Sequence, residues 1–139
     1  MDPNAKGDKV EAMVLSDLVN REFDVLIPFS ESNRYDLVIQ GEAGFHKLQC
    51  KSGRYKQDRI IFSTKSSRPN TTGSTREDYR GDIDYFAVYS FGTEETYLVP
   101  ISKAANGEMT LRTQPPDNGQ SKGINWAEDY LIDAQLRDL

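Results

Sequence analysis

Three residues have the types and spacing to do hydrolytic chemistry: Asp36, Gln49 and Lys51. A carboxylate and an amide oxygen at one spot can hold a hard divalent cation, which in turn polarises a phosphate. An ammonium beside them can orient or activate an attacking water. Together they suit cleavage of a phosphodiester.

These residues lie within 34–53, where the pattern predicts two short strands joined by a Gly-containing turn. Tyr35, Leu37 and Ile39 alternate with Asp36 and Val38 on the first, and Phe45, Leu48 and Cys50 punctuate His46, Lys47, Gln49 and Lys51 on the second. Gln49 and Lys51 therefore share one face, and antiparallel pairing brings Asp36 towards them. Cys50 reads as a small core-facing residue, since free cysteines are so often buried.

The Tyr35-Asp36 and Gln49-Cys50-Lys51 pieces resemble the PD-(D/E)XK nuclease superfamily, with Tyr35 at the proline position and Gln49 at the second acid. Over about residues 6–130 the chain is similar to the intron-associated, homing-type branch found in cyanobacteria and archaea. The stretches LysGlyAspLysValGlu, IleProPheSerGluSerAsnArgTyrAspLeuVal, LeuGlnCysLysSerGlyArg, TyrArgGlyAspIleAspTyrPheAlaValTyr, ThrTyrLeuValProIle and GlyIleAsnTrpAlaGluAspTyr carry that resemblance. It implies a site of Glu11, Asp36, Gln49 and Lys51. It also implies Mg²⁺, with Mn²⁺ able to substitute, held by Asp36, the Gln49 oxygen, the Cys50 carbonyl and Glu11. Gly7 to Glu11 matches the family's Gly-x-x-x-Glu arrangement on the first helix; the bland reading of Glu11 is a glutamate snorkelling at a helix border.

The 139 residues make one domain, 1–139, with a respectable core. No apolar run approaches a membrane span, and no signal-peptide layout opens the chain. One cysteine excludes an internal disulfide and a thiolate zinc cluster, which fits a reducing cytoplasm or nucleoid. The net charge of −5 is segregated. Residues 46–80 hold nine Lys and Arg against three acids, a local +6, while the remainder holds eight against nineteen, or −11. Such a basic stretch beside a catalytic strand is the footprint expected for a phosphate backbone. The candidate DNA contacts are Ser30, Ser32, Asn33 and Arg34 upstream of Asp36, then Arg54, Lys56, Lys65, Arg68, Arg76 and Arg80.

In chain order, Asp2-Pro3 opens a helix running to about Arg21, with Val14, Leu15 and Leu18 inward. Residues 23–29 and 59–64 read as strands, and 65–80 as a polar DNA-embracing loop. Residues 82–89 and 96–101 form a β hairpin. Its Asp82 and Asp84 read as a strand terminus rather than a second cation site. His46 reads as a strand or rim residue. Residues 102–107 read as a helical turn, 114–123 as an irregular connection, and 124–139 as an amphipathic helix with Trp126, Tyr130 and Ala134 on one stripe.

The expected fold is α/β with a restriction-endonuclease-like core: an N-terminal helix packed on a mixed central sheet of about five strands, and a C-terminal helix. The expected function is metal-dependent endonuclease action on double-stranded or branched DNA by a homo-oligomer, because cutting both strands takes two sites. A Holliday junction resolvase, a non-catalytic DNA-binding module and an RNA-cleaving enzyme are the alternatives.

Overall fold

The structure, a computed structural model, describes residues 2–65 and 81–139. Helix α1 spans Pro3–Asn20; the Asp2 carboxylate accepts from the Asn4 backbone N–H at 3.2 Å, and Pro3 stands in the first turn where its missing donor costs nothing. Arg21 closes it, one residue short of the predicted end. Its inward stripe is Val10, Val14 and Leu18, all buried, with Leu15 on the flank.

Seven strands follow: β1 Asp24–Leu26, β2 Leu37–Gly41, β3 Gly44–Lys56, β4 Arg59–Ser63, β5 Tyr85–Ser90, β6 Glu95–Pro100 and β7 Glu108–Arg112. Seven exceeds the expected five, chiefly because β7 was not foreseen. The sheet is mixed, as expected: β3 runs parallel to β5, and every other pairing is antiparallel. β1 is much shorter than the predicted 23–29, ending before Pro28, and β5 begins at Tyr85 rather than Asp82.

β3 organises the sheet. Its first half pairs with β2, its middle with β5, and its last residues with β4, which hands on to β7. The β3–β4 link is a two-residue turn in which Gln57 and Asp58 have φ of 51° and 60°, the double left-handed conformation that matches strand twist in tight hairpins.

Two cores cover the two faces. On one, Val10, Val14 and Leu18 of α1 meet Leu37, Ile39, Leu48, Tyr85, Ala87 and Tyr89. On the other, Ile60, Phe62, Phe86, Val88, Val99, Met109 and Leu111 pack with Ala127. All six residues of β5 are buried because both faces of that strand are covered.

The predicted helix over 124–139 is broken into a 3-10 turn at Ala127–Tyr130, the short helix α2 at Ile132–Gln135, and a second 3-10 turn at Leu136–Asp138. Leu131 causes the break: its ψ of 149° is extended, and it bridges to Tyr97 on β6. The inward residues are consequently Ala127 and Ile132, while Ala134 of the predicted stripe faces solvent. The segment ends against the β2–β3 turn, where the Leu139 carbonyl accepts from Ala43 N–H at 2.9 Å and lies 3.1 Å from His46 Nε2. A Cβ on Gly41 would stand 2.0 Å from that oxygen, so only glycine fits there. No helix among the described residues is long and apolar enough to cross a membrane.

Candidate active site

The site grows from a gap in the ladder. Along one edge of β3, β2 pairing reaches Leu37↔Leu48 and β4 pairing resumes at Arg54↔Ile61. Between them the other edge is held by β5, from Leu48 to Gly53. Asp36 stands where β2 leaves. Its backbone N–H still donates to the Leu48 carbonyl at 2.8 Å, and its side-chain Oδ2 takes the next donor, Cys50 N–H, at 2.8 Å. The carboxylate thus replaces a strand as the acceptor, which fixes it at the fork.

Gln49 is buried, and its Nε2 donates to the same Asp36 Oδ2 at 2.9 Å. Lys51 follows on the same face of β3, with its Nζ 5.9 Å from the Phe86 ring centroid and donating to the Lys65 carbonyl at 2.7 Å. Burial pulls the Lys51 ammonium down to about 8, with the Asp36 charge opposing. Strand parity and register therefore bring Asp36, Gln49 and Lys51 together as the sequence implied.

Glu11 approaches from the α1 face. It opens, with Asp8, Ala12, Leu15 and Ile27, into a depression of about 240 Å³ whose wall includes Leu37, the residue after Asp36. Cys50 points to this side and packs against the α1 core. Burial pushes its thiol well above the usual range, and the charges of Asp36 and then Glu11 push it further. Both carboxylates thus lie within electrostatic reach of Cys50.

The donor set fits a hard, oxygen-loving cation. Among the described residues no group of three or more His, Cys, Asp or Glu side chains could enclose a metal ion. Mg²⁺ needs no such cage, since it takes one or two carboxylates and keeps several waters. Gln49 departs from the expectation in one respect: its amide shows nitrogen, not oxygen, to Asp36. Presenting the oxygen would take a half-turn of the amide.

Other predicted residues fall elsewhere. Arg34 is not displayed to solvent; its side chain is 15% exposed and pairs with Asp82 at 3.4 Å. Ser30 and Ser32 hydroxyls lie 2.7 Å apart, and Asn33 Nδ2 donates to the Ser30 carbonyl at 3.2 Å, so these side chains shape their own turn. Arg54, Lys56 and Lys65 are exposed. Arg68, Arg76 and Arg80, with most of the predicted DNA-embracing loop, lie outside the described residues. Asp84 accepts from the Lys47 backbone N–H at 2.7 Å, and Lys47 Nζ donates to the Gly81 carbonyl at 3.2 Å. Asp82 and Asp84 thus hold the start of β5 to its surroundings, the strand-terminus role expected of them. Lys47 lies on the strand expected of it, but its tie to Gly81 was not foreseen; Arg112 was missed with its strand, for which Met109 alternating with Leu111 was the available signal.

A fork aspartate and a Gln-x-Lys strand on a mixed sheet, with a helix acid on the α1 face, are the features to set beside known proteins. The model of the PD-(D/E)XK endonuclease family matches residues 1–133, and the chain belongs to that family. Among solved structures it is similar to the bacterial homing endonuclease I-Ssp6803I, with a TM-score of 0.75, 24% identity, and coverage of 99% of this chain and 95% of that one. That likeness confirms the fold. No curated protein matches the chain.

Proposed function

We propose that the protein is a Mg²⁺-dependent endonuclease that hydrolyses phosphodiester bonds of duplex DNA, in the manner of a homing-type double-strand endonuclease. The observation that carries this reading is the convergence of the Asp36 carboxylate, the Gln49 amide and the half-buried Lys51 ammonium at the fork of β2 and β3. Family membership and the likeness to a homing endonuclease support it.

Asp36 and Glu11 would hold the cation with the Gln49 oxygen and the Cys50 carbonyl, and Mn²⁺ would fit the same donors. When bound, the ion supplies Lewis-acid polarisation of the scissile phosphate and neutralises charge developing on it. Lys51 orients the attacking water, and the 3′ oxygen leaves so that the product carries a 5′ phosphate. Asp36 is preorganised for its part, because two N–H donors already fix its Oδ2. One such site cuts one strand, so cutting a duplex calls for two copies in a symmetric homo-oligomer.

The test is a nuclease assay on a plasmid library in Mg²⁺, with the cut ends sequenced and four-way junctions as a parallel substrate. Staggered duplex cuts with 5′ phosphates, lost in Lys51→Ala, are expected. A wild type inert in both Mg²⁺ and Mn²⁺ overturns the reading, and preferential cutting of junctions replaces it with a resolvase.

A further inference from the structure

Beyond Gly53, β3 joins β4 and β7 in a three-stranded antiparallel ribbon. Register sets Arg54 opposite Ile61 and Ile61 opposite Thr110; the next row is Lys56, Arg59 and Arg112. Paired residues project from the same face. The other face of β4 and β7 is buried through Ile60, Phe62, Met109 and Leu111, so these two rows point away from that core. Arg54 and Lys56 are exposed, and the other four are half-buried.

Three cations in direct register repel one another across the strands. Among the described residues none of Arg54, Lys56, Arg59 or Arg112 forms an ion pair. Two guanidiniums are nevertheless aimed: Arg59 Nη2 donates to Gln57 Oε1 at 3.1 Å, and Arg112 Nε to the Gln114 carbonyl at 3.0 Å. A repulsive row without an ion pair, two of its guanidiniums held by hydrogen bonds, suits an external polyanion.

We infer that this ribbon face enters the major groove of duplex DNA and sets target preference, an inference that rests on the endonuclease reading above. Strands stand about 4.8 Å apart, so the outer two are separated by about 10 Å. The major groove is about 12 Å wide. Lys56 and Arg112 flank Arg59 and reach the two phosphate walls, Arg112 from a strand end whose far edge is taken by Asn125 and Trp126, while Arg59 on the central strand faces the base edges. Its planar fork suits O6 and N7 of a guanine. In the next row Ile61 occupies the central place, where an apolar side chain meets a thymine methyl. Lys56 stands five residues along β3 from Lys51, about 17 Å of strand. The guanine read by Arg59 is therefore on the order of five base pairs from the scissile phosphate.

The experiment is selection of bound duplexes from a random library by the full chain in Ca²⁺, with affinity for the selected site measured against salt. Arg59→Ala should lose preference for one G·C pair by about tenfold to hundredfold, while Arg59→Lys, which still donates to O6 and N7, should retain part of it and keep the salt slope. Lys56→Ala and Arg112→Ala should weaken all sequences alike and each lower that slope by about 0.9. Arg59→Ala with wild-type base preference overturns the readout role. Ribbon variants that bind like a DNA-cutting wild type sink the ribbon alone, whereas a wild type that neither binds nor cuts duplex DNA sinks the endonuclease reading with it. Thermal melts of each variant separate lost contacts from lost folding.

Discussion

Lys51 Nζ donates to the Lys65 carbonyl at 2.7 Å, and four residues earlier on the same face of β3 Lys47 Nζ donates to the Gly81 carbonyl at 3.2 Å. Two lysines of one strand thus hold the backbone on both sides of residues 66–80, the stretch carrying Arg68, Arg76 and Arg80. The side chain proposed to orient water is also a structural tie.

That double duty has a thermodynamic signature. Lys51 titrates near 8 in the folded chain against an ordinary 10.5, because burial disfavours its charge. Between those values the unfolded chain binds more protons, so this group's contribution to stability improves as pH rises from about 8 to 10.5. Lys51→Met should raise stability at pH 7 by on the order of 1 kcal/mol, allowing for solvent screening, and abolish cleavage. Melting curves across pH check this: the gain should shrink between pH 8 and 10.5.

Gln49→Glu places a second carboxylate beside Asp36, where Nε2 now donates at 2.9 Å. It replaces a hydrogen bond with like-charge repulsion. Without divalent cations the variant should lose about 1–3 kcal/mol at neutral pH, and Mg²⁺ should restore more stability to it than to the wild type. Calorimetry in EDTA and in Mg²⁺ reads both. Equal Mg²⁺ stabilisation of the two proteins would remove Gln49 from the proposed ligand set.

Gly53 lies where β3 exchanges partners, and a Cβ there would come 2.6 Å from Ile60 Cγ2 and 2.9 Å from Val88 Cγ1. Both neighbours are fully buried core groups. Gly53→Ala should cost about 1–3 kcal/mol by overpacking, measured by urea unfolding, with Val88→Ala recovering part of it in the double variant.

Arg34 and Asp82 tie the segment before Asp36 to the segment before β5. Because Asp82 is half exposed, the pair's coupling should be modest, about 0.5–1 kcal/mol in a double-mutant cycle of Arg34→Leu and Asp82→Asn. Cleavage should suffer more than stability, through kcat rather than KM, since the tie positions Asp36 without touching DNA.

The parts of the fold legible in the sequence are those determined locally. Asp2-Pro3 writes its own cap, and β2–β3 and β5–β6 are hairpins whose alternation and turns lie within a few residues of one another. From the alternation in 34–53 alone, the fork of Asp36, Gln49 and Lys51 could be placed. What escaped depends on distant partners. β7 is five residues long with charges at both ends, and it is a strand because β4, more than forty residues earlier, supplies its ladder. The final segment has helical periodicity, yet Tyr97 captures Leu131 in an extended bridge and interrupts it. Arg34 reads as a surface cation in sequence, and only the fold supplies Asp82 to turn it inward.

β3 is one unbroken strand of thirteen residues, from the turn beside Leu139 through Gln49 and Lys51 to the tight bend at Gln57. It therefore acts as a rigid ruler whose graduations are peptide units. Side-chain exchanges at its far end would change what is read without altering where the cut falls. Inserting two residues would lengthen the offset by about 7 Å with every side chain keeping its face, whereas inserting one would turn the outward row inward.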